Sequence, residues 1–275
     1  MVTRNIFQVL NPAALFKNRV VPLDVTRRVA GALGKSVGSL LPPIPEEVAK
    51  EIGFPEYPYA CQSFARVGRV GDGGKYICLD HMPLGKPGDC VVYSFGINFD
   101  FSFDKAMSIL GCKVHSFDPF MLLKYPPSAR GYIKMKAVPP MVQFHSIGLA
   151  GHDHRQEFYG ERVDLKTLGT IGSQLSDRKI DILKIDIEGN EWDMLEKMVD
   201  EDFNNINVLQ ICIEVHLDEH LASPSKVKKT LEKLYHKGYD MWHREDNIDH
   251  SIFIQFNGFH VRSSYELSFI KNATL

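Results

Sequence analysis

The run Ile180-Asp181-Ile182-Leu183-Lys184-Ile185-Asp186-Ile187, followed by Glu188-Gly189-Asn190-Glu191, constrains this chain more than any other stretch. An apolar run of that length, closed by glycine and then by a helix-start signal, predicts a core strand of a parallel sheet. Its two carboxylates, Asp186 and Glu188, fall at the carboxyl end, the lip at which open α/β sheets bind ligands. A strand serving stability alone needs no pair of acids there. Chemistry is therefore sought first at these two residues.

The flanking sequence repeats the strand–helix alternation. Cys90–Phe95 reads as a first core strand, and Asp104, Ala106, Met107, Ile109 and Leu110 as a helix stopped by Gly111. Lys113–Phe117 is a second strand ended by Asp118-Pro119, residues 142–149 a third, and residues 180–187 the fourth. Asn190 is placed to cap the next helix, with Glu191 and Asp193 complementing its dipole and Trp192, Leu195, Met198 and Val199 on one face. A fifth strand, Val208–Ile213, ends in Glu214-Val215-His216. Ser223-Pro224 then opens a helix with Val227, Leu231, Leu234 and Tyr235 on its core face. The segments Tyr239–Arg244 and Ser251–Phe256 predict a closing antiparallel hairpin. This order predicts a doubly wound, Rossmann-like α/β sheet with right-handed crossovers.

Upstream, Arg4, Lys17, Arg19, Arg27, Arg28 and Lys35 are offset by the single acid Asp24. Prolines 42, 43, 45, 55 and 58 follow, so residues 1–60 read as an extension and 61–275 as the domain. The extension is read as a solvated lead-in with a cytoplasmic setting, and a mitochondrial transit segment is its alternative. The cluster Gly71-Asp72-Gly73-Gly74 reads as a tight turn rather than a phosphate cradle, because no helix follows it. No apolar run approaches the roughly 18 residues of a spanning helix. A net charge of −2 with 24% charged residues argues against a dedicated nucleic-acid binder. Five scattered cysteines without a CxxC pair read as buried thiols of a reducing compartment, with one disulfide left open. Asn272-Ala273-Thr274 has glycosylation spacing, a weak signal by itself.

A doubly wound sheet gathers its strand ends at one edge, so those ends supply the candidate site. After strand one, Ser94-Phe95-Gly96-Ile97-Asn98-Phe99-Asp100 offers a glycine for close backbone approach and helix N–H groups for an anionic group. Asp118 stands about 20 residues beyond that glycine, where an acid can accept ribose hydroxyls. Together these point to a nucleoside-containing cofactor, and the lack of G-x-G-x-x-G argues against a dinucleotide. Two metal alternatives exist, Asp186 with Glu214, His216 and His220, and the triplet His152-Asp153-His154; neither has diagnostic ligand spacing, so no metal is assigned. No Gly-x-Ser-x-Gly elbow supports a hydrolase.

The quoted motifs resemble the FkbM-type branch of class I S-adenosylmethionine-dependent methyltransferases, and more closely its eukaryotic methyltransferase-like relatives. That branch shows D-x-G-A-N-x-G after strand one, E-P after strand two, K-x-D-x-E-G-x-E at strand four and E-V-H at strand five. Here these positions read Ser94–Asp100, Asp118-Pro119, Lys184–Glu191 and Glu214-Val215-His216, within residues 70–257. The strand-four motif is the specific part. The first-strand acid is Ser94 and the loop's last glycine is Asp100.

The resemblance implies S-adenosyl-L-methionine as cofactor, held by Ser94, Phe95, Gly96, Ile97, Asn98, Asp118 and Asp186. It implies methyl transfer, read here as O-methylation of a small-molecule or glycan hydroxyl. Asp186 is expected nearest the methyl, as base or orienter, with Glu188, Glu214 and His216 in support; only His216 has an ordinary pKa near neutrality. Phe120, Tyr125 and Tyr132 could stack on a sugar ring, although aromatic residues in such a loop more often anchor it to the domain. The alternatives are a catalytically inactive binding module of the same fold and, third, a nucleotide-sugar transferase.

Overall fold

The computed structural model describes residues 46–51, 53–54, 59–70, 73–80, 82–84, 86–123, 141–158, 160–218, 220–247 and 251–272. The basic segment, Tyr125, Tyr132 and the last two sequon residues lie outside the described residues. A short helix α1 (Glu46–Glu51) and an antiparallel hairpin of β1 (Phe64–Val67) and β2 (Lys75–Cys78) come first. Then follow β3 (Val91–Phe95), α2 (Ser102–Ile109), β4 (Lys113–Phe117) and β5 (Val142–His145). A subsidiary sheet, β6 (Ile147–Leu149), β7 (His154–Phe158) and β8 (Glu161–Lys166), leads to α3 (Leu168–Leu175). The second half runs β9 (Lys179–Ile185), α4 (Glu191–Asp200), β10 (Asn207–His216), α5 (Pro224–His236), β11 (Tyr239–Asp246), β12 (Phe253–Phe256), β13 (Phe259–Arg262) and β14 (Ser264–Lys271).

The central sheet has the order β5-β4-β3-β9-β10-β14-β11. Its first five strands pair in parallel, and β14 is antiparallel to both β10 and β11. The chain order reverses between β3 and β9, which opens the ligand crevice at their carboxyl ends. Apolar cores cover both faces. Trp192, Leu195, Met198, Val227, Leu231 and Leu234 bring α4 and α5 onto one. Phe103 and Met107 of α2, with Val67 and Ile77 of the hairpin, pack on the other. Val48, Ala49 and Phe54, from the segment read as extension, are buried in the first core, so packing with the domain begins before residue 60. Among the described residues no helix is long and apolar enough to cross a membrane.

Four local expectations differ from the structure. The segment Tyr239–Arg244 does not pair with Ser251–Phe256: β11 reaches past it to β14, while β12 turns through Asn257-Gly258 onto β13. The third strand is broken, β5 staying in the main sheet and β6 joining β8. Asn190 holds the N-cap position of α4 without a side-chain bond; Glu191 instead reaches back and accepts from the Gly189 N–H at 2.8 Å. Finally, four cysteines are not thiols. Cys61 bonds Cys78 and Cys90 bonds Cys112, leaving Cys212 free and buried. The second pair staples the starts of β3 and β4, neighbouring parallel strands whose close Cα atoms, 4.4 Å apart, bring the sulfurs within reach.

Candidate active site

The crevice is organised by a backbone contact. Gly96 ends β3 at φ +73°, and a Cβ there would stand 1.5 Å from the Asp186 carbonyl oxygen. Only glycine lets these two strand ends come so close. Lys184 secures the junction from behind, its ammonium donating to the carbonyls of Phe95 at 3.3 Å and Gly96 at 3.2 Å. Asn98 and Phe99 follow at positive φ, 40° and 64°. Asp118 receives the turn: its Oδ2 accepts from Asn98 N at 2.9 Å, and its Oδ1 from Phe120 N at 2.8 Å and Met121 N at 3.2 Å. Three of the roughly four acceptor positions of this carboxylate are thereby used, and one remains.

These groups border a single cleft of about 1240 Å³, whose wall includes Phe95–Asn98, Asp118, Lys184, Asp186 and Glu188. Asp118 and Asp186 therefore face the same space. The far wall comes from the subsidiary sheet, with His154, Gln156 and Phe158, the last ring 4.7 Å from that of Phe120. Ser94, Glu214 and His216 do not line the cleft. Ser94 is fully buried beside the buried Asp104, whose carboxylate accepts a hydrogen bond from Ser116. Burial pushes Asp104 above the usual carboxylate range.

Behind Asp186 lies a charge cluster that the strand-end motifs do not reveal. Lys75 of β2 places its ammonium 3.3 Å from Asp186 Oδ2 and 3.8 Å from Glu214 Oε2, and in direct contact with Glu266 of β14. Lys184 adds a second cation 3.8 Å from Asp186. Burial would raise Asp186, but Lys75 and Lys184 hold it below the ordinary range. Glu214 goes the other way, up to about 8, through burial and then the Asp186 charge, although Asn247 donates to its Oε1 at 2.8 Å. Burial would lower His216; its bond to Glu191 at 3.2 Å, with Glu214 and Glu188 nearby, raises it to about 9. Lys75 and Glu266 escaped the sequence reading because their part depends on contacts 111 and 191 residues apart.

The histidine sets do not form metal centres among the described residues. Asp153 is spent on α3, accepting from Thr167 N at 2.7 Å and Thr170 Oγ1 at 2.8 Å, while His152 and His154 stack on each other. The one set of three possible ligands found among the described residues is Cys61, Cys78 and Asp80, and its two sulfurs are bonded together.

The cleft fits S-adenosyl-L-methionine. Its volume exceeds that of a nucleoside site, Asp118 keeps an acceptor position for a ribose hydroxyl, and the ionised Asp186 offers negative charge for a sulfonium. Human "Probable methyltransferase-like protein 24" is 26% identical over 212 residues, covering 70% of this chain and 54% of that protein. Its Rattus norvegicus counterpart is 27% identical, covering 66% of this chain and 50% of that protein. The chain thus spans about half the length of these relatives. Among solved structures, the methyltransferase FkbM from Methylobacillus flagellatus KT is similar at 11% identity and a TM-score of 0.38, over 66% of this chain and 43% of that one. A family defined as "Methyltransferase domain" matches residues 53–260, and the chain belongs to it.

Proposed function

We propose that this protein transfers a methyl group from S-adenosyl-L-methionine to a hydroxyl of a small molecule or glycan. The observation that carries the reading is the meeting of Asp118 and Asp186 on one cleft across the Gly96 junction. When bound, the cofactor supplies an electrophilic methyl group on a positively charged sulfur. The loop Phe95–Asn98 and Asp118 hold its adenosyl part, and the Gly96 junction sets the distance between that loop and Asp186. Asp186, kept ionised by two lysines, is a weak base and a good hydrogen-bond acceptor. Its role is to orient the acceptor hydroxyl, so that the gain comes mainly from alignment. Glu188, with 79% of its side chain exposed, stands at the cleft wall and gives the released proton a route to water. Glu214 and His216 act from behind, setting the field at Asp186.

One observation favours the second reading, a binding module of the same fold: backbone amides already occupy most of the Asp118 carboxylate. Calorimetric titration of the full chain with S-adenosylhomocysteine separates the two. Saturable micromolar binding is expected of the enzyme, and no binding up to millimolar ligand sinks the proposal. A panel of hydroxylated acceptors with isotopically labelled methyl donor then identifies the substrate.

A further inference from the structure

The glycine-rich turn before β2 finds its use in what it delivers. A Cβ on Gly74 would stand 2.2 Å from the Arg69 carbonyl oxygen, and one on Gly73, at φ +87°, 2.9 Å from Asp100 Oδ2. These glycines let the β1–β2 hairpin fold tightly and press against the loop after β3. The hairpin is then fastened to the sheet: Gln210 of β10 bonds both the N–H and the carbonyl of Cys78, at 2.9 and 2.7 Å. Ser268 of β14 donates to the Tyr76 carbonyl at 3.2 Å. The residue so delivered is Lys75, a cation with a side chain only 2% exposed.

Three carboxylates surround its ammonium, Glu214 buried on β10 and Asp186 and Glu266 partly buried beyond β9 and on β14. So close a group of acids needs a counter-charge, and even beside Lys75 burial and the Asp186 charge raise Glu214 to about 8. Lys184 cannot take that place alone, since it also donates to Phe95 and Gly96. His216 is the remaining cation of the cluster; its ion pairs go to Glu191, Glu188 and Glu214, and its charge acts on Asp186 less than those of Lys75 and Lys184. We infer that Lys75 is a positioning residue of the transfer site, holding the Asp186 carboxylate ionised and aimed into the cleft. This rests on the proposed function.

The test is calorimetry on the full chain with S-adenosylmethionine and S-adenosylhomocysteine, from pH 6 to 9, for wild type, Lys75→Met, Lys75→Arg and the double variant Lys75→Met/Glu266→Gln. The two ligands differ by the sulfonium charge, so their affinity ratio reads the charge of Asp186 and not the general integrity of the fold. Lys75→Met is expected to lose about tenfold in preference for the sulfonium at pH 6 and to recover it toward pH 9 as Asp186 ionises. Lys75→Arg keeps the wild-type ratio, and the double variant, with one acid fewer, recovers part of it. If Lys75→Met does not fold, the double variant carries the comparison. A wild-type ratio at every pH in the folded cation-less variant overturns the inference. Failure of the wild type to bind either ligand instead overturns the cofactor reading.

Discussion

Gly96 and Asp186 touch backbone to backbone, with 1.5 Å between a would-be Cβ of the first and the carbonyl oxygen of the second. The contact joins the loop after β3 to the chain just beyond β9, where Asp186 stands. Gly96→Ala is expected to push the strand ends apart and to impose an unfavourable positive φ. A loss of about 2 kcal/mol or more in unfolding free energy, with S-adenosylhomocysteine binding abolished, is the expected result. Chemical denaturation and calorimetry check it; native-like binding by this variant would show that the loop has room to retreat.

Asp118 and Asp186 face one cleft, and on the proposed division of roles their variants should separate. Asp118→Ala removes the acceptor for three backbone amides as well as for a ribose hydroxyl, so cofactor affinity should fall by about tenfold or more. Asp186→Asn keeps the shape and one acceptor oxygen but loses the charge and the second acceptor, so turnover should fall with cofactor affinity changed less. Equal effects of both variants on both quantities would refute the division.

Glu214 and His216 make stability depend on pH in one direction. Glu214 rises from an ordinary 4.5 to about 8, and His216 from 6.5 to about 9. In both cases the folded state binds the proton more tightly than the unfolded state. Their contribution is complete below the unfolded values and is lost as pH rises through the folded ones. Unfolding free energy should therefore drop from about pH 4.5, where Glu214 alone contributes, to about pH 9, most steeply between 6.5 and 8 where both do, by roughly 1 kcal/mol per pH unit for each group. Glu214→Gln should flatten the lower part of that slope. Denaturant titrations at several pH values measure it.

Cys61–Cys78 and Cys90–Cys112 close loops of 17 and 22 residues. Reduction should cost about 3 kcal/mol for each, read as a fall in unfolding midpoint with dithiothreitol. Cys212 should not react with a thiol reagent in the native protein, because burial raises its thiol to about 12. Mass spectrometry after alkylation, with and without reductant, counts the thiols. Alkylation of all five cysteines without reductant would contradict the pairing.

The strands that carry the site were legible because each is a short apolar run ended by a distinctive polar group, as in Ile180–Glu188. Pairing at the far edge was not, because β14 joins β10 and β11 through contacts that no local pattern announces. The β12–β13 hairpin did leave a signal: Asn257-Gly258, both at positive φ, is the turn that two-residue hairpins favour. The alternation of Val163 and Leu165 with Arg162 and Asp164 likewise marks β8. The pairing and number of the disulfides were not legible because sequence spacing says nothing of the lateral distance between adjacent strands. Asp186 was visible as an acid at a strand tip, whereas the first of the cations that hold it ionised, Lys75, belongs to a different part of the chain.

The hairpin that brings Lys75 has a consequence for anyone seeking a minimal unit. A fragment trimmed to begin at β3 would keep every strand of the seven-stranded sheet, yet leave Asp186, Glu214 and Glu266 without their shared counterion. Such a fragment would neutralise itself by taking up protons at the very place where negative charge is wanted. The smallest piece that can work thus starts upstream of the sheet.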